Sequence, residues 1–67
     1  MTGTVVQFDE QRGLGEIESG EGGRYLFHCT RIADGSRTIG LNAAVVFEVV
    51  PGPLGRWEAA DIRPASA

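Results

Sequence analysis

The chain is 67 residues long, enough for one small domain whose hydrophobic core lies near the lower limit of what folds unaided. Its single cysteine, Cys29, excludes an internal disulfide and a cysteine-based structural zinc site, since both need a second thiolate. Six arginines, no lysine and nine carboxylates give a formal charge of -3, which argues against affinity built mainly on phosphate contacts.

Taken in order, Thr4-Val5-Val6-Gln7-Phe8 is β-branched and aromatic and predicts a first strand near 3–8, ended by turn residues at 9–13. Weak alternation over 14–19, a break at Gly20-Glu21-Gly22-Gly23 and renewed alternation over 24–29 predict a hairpin. From Thr30 to Gly40 no period is sustained and Ala33-Asp34-Gly35-Ser36 is turn chemistry, so a long connection with one helical turn is expected. A second hairpin follows: strands near 43–50 and 56–62, separated by Pro51-Gly52-Pro53-Leu54-Gly55. In its last strand Ile62, Ala60 and Glu58 are expected on one side, with Trp57, Ala59 and Asp61 on the other.

Five short strands, two hairpins and ten glycines describe an all-β fold, and at this length a closed five-stranded antiparallel barrel leaves the fewest exposed edges. Residues 1–67 form a single domain in this reading, with 64–67 as a frayed tail. The longest apolar run, Ala43 to Phe47, is far short of the roughly 20 residues of a membrane span. Residues 1–15 carry Asp9 and Glu10 and no basic start before an apolar stretch, so they do not read as a signal peptide. With one cysteine, a reduced, cytoplasmic setting is expected.

Several segments resemble the cold-shock domain family. "GTVVQF" at 3–8 is similar to its opening G-T-V-K-W-F, and "RGLGEI" at 12–17 to its first ribonucleoprotein motif, K-G-F-G-F-I. "YLFHC" at 25–29 resembles the second motif, V-F-V-H-F, and "VVFEVVPGPLG" at 45–55 resembles V-E-F-E-V-V-x-G-P-K-G. The likeness runs from Thr2 to Pro64, with about one extra residue after Gly55. It implies a Greek-key barrel of the OB-fold class that binds single-stranded RNA or DNA by stacking unpaired bases on outward aromatic rings.

Against that family the inward positions stay apolar (Val5, Ile17, Tyr25, Phe27, Val45, Phe47, Ile62), while the outward ones depart. Val6-Gln7 stands for the family's Lys-Trp, Leu14 and Glu16 for the two Phe of the first motif, and Leu26 and Cys29 for those of the second. Ser36 replaces a loop Phe, and Leu54 a turn Lys. Only Phe8, Arg12 and His28 still match the contact surface. At about 1 kcal/mol per stacked ring, losing five or six rings weakens binding by roughly 5 kcal/mol, a factor of several thousand. Glu16, and Asp9 in place of the usual Asn, are expected to repel phosphate as well.

Two readings follow. In the first, Phe8, Arg12, Leu14, Leu26, His28 and Trp57 bind single-stranded RNA or DNA weakly, with Arg12, Arg24 and Arg56 as a basic rim. In the second, nucleic-acid binding is lost, and Val6, Leu14, Leu26 and Cys29 form an apolar patch for a protein partner or self-association. Trp57 is placed either exposed beside the last hairpin, where it would stack a base, or, preferably, folded over the barrel end to cover Leu54. Cys29 reads as a small hydrophobe rather than a reactive thiol. Gly13 and Gly15 read as turn and close-packing residues, since no helix follows them to make a dinucleotide site. With one His and no acid/base pair, nucleophile constellation or phosphate loop, neither catalysis nor a metal or cofactor is expected.

Overall fold

Strands form where β-branched and aromatic residues cluster, and glycine with short polar residues turns the chain between them. They are β1 (Thr2–Asp9), β2 (Leu14–Ser19), β3 (Arg24–His28), β4 (Ala44–Pro51) and β5 (Trp57–Pro64), each within two residues of its expected bounds. The structure is a computed structural model and describes residues 1–33, 35, 38–52 and 55–65. Expectations for Asp34, Ser36, Pro53, Leu54 and the final two residues of the tail lie outside the described residues. Among those described, no helix is long and apolar enough to cross a membrane.

The first turn is built by Asp9. Its Oδ1 accepts from the backbone N–H of Gln11 at 3.0 Å and of Arg12 at 3.3 Å, and Gly13 N–H donates to the Asp9 carbonyl at 2.8 Å. Gly13 has a φ of 67°, and a Cβ there would stand 2.8 Å from Cys29 Sγ, so both conformation and space favour glycine. The second turn is tied by Ser19 N–H to the Gly23 carbonyl at 2.7 Å. The expected helical turn in the long connection is a single 3-10 turn, Cys29–Arg31.

The strands close in the order β1-β2-β3-β5-β4. Four seams are antiparallel, and the β3–β5 seam is parallel, through Leu26 opposite Glu58 and an isolated bridge between Ile32 and Ile62. The barrel is thus the expected closed five-stranded one, antiparallel except at this seam, because an odd number of strands cannot alternate direction all the way around a closed ring.

Val5, Ile17, Phe27, Val45, Phe47 and Ile62 are at most 1% exposed, joined by Ile32 and Ala59. Tyr25, also expected inside, is half-buried, its ring 5.8 Å from that of Phe47 at a 53° tilt. Two bulges interrupt simple alternation. One is in β1, where Val5 faces Ile17 and Gln7 faces Glu16, leaving Val6 as the extra residue. The other is in β5, between the pairs Val46–Arg63 and Glu48–Ala60, and it contains Asp61 at a φ of 51°. Near this second bulge the expected β5 alternation fails: Ala59, placed outside, is fully buried together with Ala60, because the extra residue resets which side faces in. The chain end is also held further than expected. Pro64 pairs with Val45, and Ala65 N–H donates to the Ala44 carbonyl at 3.0 Å.

Candidate nucleic-acid interface

Period-two geometry turns Leu14, Glu16, Leu26 and His28 to the outside of the β2–β3 ladder while Gly15, Ile17 and Phe27 face in. Leu14 stands opposite His28, and Glu16 opposite Leu26. Leu14 and Leu26 are each 45% exposed, against 1% for Phe27. Gly15 matters to this face from beneath. A Cβ there would run into the end of the Phe27 ring and come within 2.9 Å of the Gln7 carbonyl. Its absence lets Phe27 fill the barrel under the hairpin, with Phe8 parallel to it at 6.0 Å and 7°.

Two adjoining depressions cross the face. One is lined by Gln7, Phe8, Asp9, Arg12, Leu14, Gly15, Glu16 and Leu26. The other runs over the β3–β5 seam and includes Glu16, Arg24, Tyr25, Leu26, Arg56 and Trp57. Glu16 and Leu26 belong to both, so they occupy the centre. Trp57 is 61% exposed. It therefore does not fold away over the barrel end, which corrects the preferred expectation. Position two residues after Gly55, opposite Pro51 on β4, brings it to the rim of the second depression instead.

Charges on the face are arranged in pairs. Arg24 Nη1 lies 3.3 Å from Glu16 Oε1, and Arg24 Nε lies 3.5 Å from Glu18 Oε2. Arg12 Nε is 3.9 Å from Asp9 Oδ2. The repulsion expected from Asp9 and Glu16 is thus partly offset by their own arginines, and Asp9 is engaged in its turn. Arg12 and Arg24 remain well exposed, with side-chain exposures of 76% and 59%. Such pairs are worth about 0–1 kcal/mol, little enough for a phosphate to compete. Arg56 makes no ion pair with any described residue. The Arg24 clamp was missed in the sequence, although Arg24 directly opposite Glu18 in the ladder follows once the hairpin register is fixed.

The remaining candidates are more dispersed. His28 caps the 3-10 turn: its Nδ1 accepts from Thr30 N–H at 3.3 Å and lies 3.0 Å from Thr30 Oγ1. In the neutral ring with Nδ1 accepting, the N–H sits on Nε2. Cys29 leaves the strand for the 3-10 turn, half-buried against the core, where its N–H donates to the Gly13 carbonyl at 2.7 Å. Val6 is half-buried at the β1 bulge and lines neither depression. The apolar patch of Val6, Leu14, Leu26 and Cys29 is therefore not assembled as expected: Leu14 and Leu26 share the face, joined by Trp57. Among the described residues, no three His, Cys, Asp or Glu side chains group as metal ligands.

The sequence that builds this barrel matches known proteins. The family model described as the 'Cold-shock' DNA-binding domain matches residues 1–65. A relative, the cold shock-like protein CspA of Stigmatella aurantiaca (strain DW4/3-1), is 41% identical over 56 residues, covering 81% of this chain and 82% of its own. Matched over nearly its whole length, the chain is a member of the cold-shock domain family, a family of nucleic-acid-binding proteins.

Proposed function

We propose that this protein binds single-stranded RNA or DNA weakly, through the outer face of β2 and β3 extended by Trp57, and performs no chemistry on the strand. The observation that carries this reading is the junction at Leu26. There an exposed aliphatic side chain, the exposed ring of Trp57 and the guanidiniums of Arg24 and Arg56 line one depression, beside a second that holds Phe8, Arg12 and Leu14. Unpaired bases have apolar faces for Leu14, Leu26 and Trp57, and phosphates have the arginines. His28, at the end of the same ladder, offers its Nε2–H to a base edge or a phosphate. With Trp57 as the one exposed ring of the face among the described residues, instead of five or six, affinity is lower by roughly 5 kcal/mol, so a nanomolar site becomes micromolar.

Titrating a pool of single-stranded oligonucleotides at low and moderate salt, followed by Trp57 fluorescence, tests the reading. A quench at micromolar protein that weakens with salt is expected. No response up to hundreds of micromolar would overturn it and leave the protein-partner reading, with Leu14, Leu26 and Trp57 as its surface.

A further inference from the structure

We infer that Glu16 gives this face a preference for guanine, and the inference rests on the nucleic-acid reading above. Glu16 is the one side chain at the centre of the face that is neither apolar nor cationic. It lines both depressions and stands opposite Leu26 in the ladder. Its side chain is only 24% exposed, and Arg24 Nη1 holds Oε1 at 3.3 Å. Oε2 has no hydrogen-bond partner among the described residues. The carboxylate is thus kept in place beside Leu26, with acceptor capacity directed to whatever lies on the face.

A carboxylate can only accept, and the bases differ in what their Watson–Crick edges offer it. Guanine alone presents two adjacent donors, N1–H and N2–H, which match the two carboxylate oxygens. Adenine and cytosine each present one amino donor beside a ring nitrogen whose lone pair would face the carboxylate. Uracil and thymine present one N–H flanked by two carbonyl oxygens, and both would be repelled. A half-buried setting strengthens the favourable contact and the unfavourable ones alike. Arg24 contributes by holding the carboxylate in position and neutralising part of its charge, so that the phosphates on either side of the base are not expelled.

The test compares short oligodeoxythymidine strands that carry one central guanine, one central hypoxanthine or no substitution, by anisotropy of an end label. A good bidentate contact discriminates by roughly tenfold or more, so the guanine strand is expected to bind about tenfold tighter than the all-thymidine one. Hypoxanthine keeps N1–H and lacks the amino group, and it is expected to lose most of that gain. Glu16→Gln, nearly isosteric, is expected to bring the guanine preference close to one, read as the ratio of the guanine-strand to the thymidine-strand affinity of that same variant. Equal affinity of the wild type for the guanine and thymidine strands would overturn the inference while leaving the binding reading standing, as would a guanine preference that survives Glu16→Gln. Binding of no strand would overturn both.

Discussion

Along the β2–β3 hairpin, neighbouring residues live under opposite constraints. Ile17 and Phe27 are sealed in the barrel, and Gly15 is kept bare so that Phe27 can reach under it. One step away on the same strands, Leu14 and Leu26 are open to solvent and Glu16 is half-buried between them on the outer face, and none holds the rings that the family's motifs carry there. The inner row is fixed by packing, in which one misplaced methylene is felt. The outer row is fixed only by what it touches. A strand can therefore keep its architectural row intact while its binding row is rewritten, and the two rows can be tested separately.

The largest expected effect comes from restoring the outer row. Gln7→Trp, Leu14→Phe, Glu16→Phe and Leu26→Phe together should raise affinity for a pyrimidine-rich single strand on the order of a thousandfold, at about 1 kcal/mol per ring. Titration of a folded fourfold variant checks this. If it fails to bind, the outer face differs from the family's in geometry and not just in side chains. On the inner row, Ile17→Ala should destabilise the fold by about 3 kcal/mol through lost burial and the cavity left behind, measured by urea unfolding. A loss below about 1 kcal/mol would mean that Ile17 is not packed as described.

Smaller in scale, His28→Ala combined with Trp57→Ala should lower the natural protein's affinity by about tenfold or more. Unchanged affinity would move the site off the Trp57 side of the face. Smallest of all, Leu26→Ser should alter stability by no more than about 0.5 kcal/mol while still weakening binding. If unfolding and binding suffered together, the separation between the two rows would not hold.

Much of the inner row is legible in the sequence, because alternation and turn residues set both the strands and their facing. Val5, Ile17, Phe27, Val45, Phe47 and Ile62 could all be placed inside from alternation read together with the resemblance to the cold-shock domain. The pattern misleads where the backbone departs from a regular strand. Asp61 takes a positive φ that its residue type tolerates but does not announce, so Ala59 faces in against the alternation. Cys29 reads as the last residue of β3, yet His28 caps a 3-10 turn that carries it away from the outer row. The outer row is legible as a list of residues and not as a set of contacts. Arg24 between Glu16 and Glu18, and Trp57 beside Leu26, depend on register across seams that no local pattern records.

The parallel seam has a consequence for folding order. β1, β2 and β3 pair as consecutive strands, as do β4 and β5, so each group can form as a local unit before the ring closes. Closure then depends on three register pairs between β1 and β4 and, on the other side, on the Leu26–Glu58 pair and the Ile32–Ile62 bridge. Leu26 belongs to the first unit and Trp57 to the second. A strand of nucleic acid lying across both would tie the two units together at their thinnest join, so amide protons near that seam should exchange more slowly when ligand is bound.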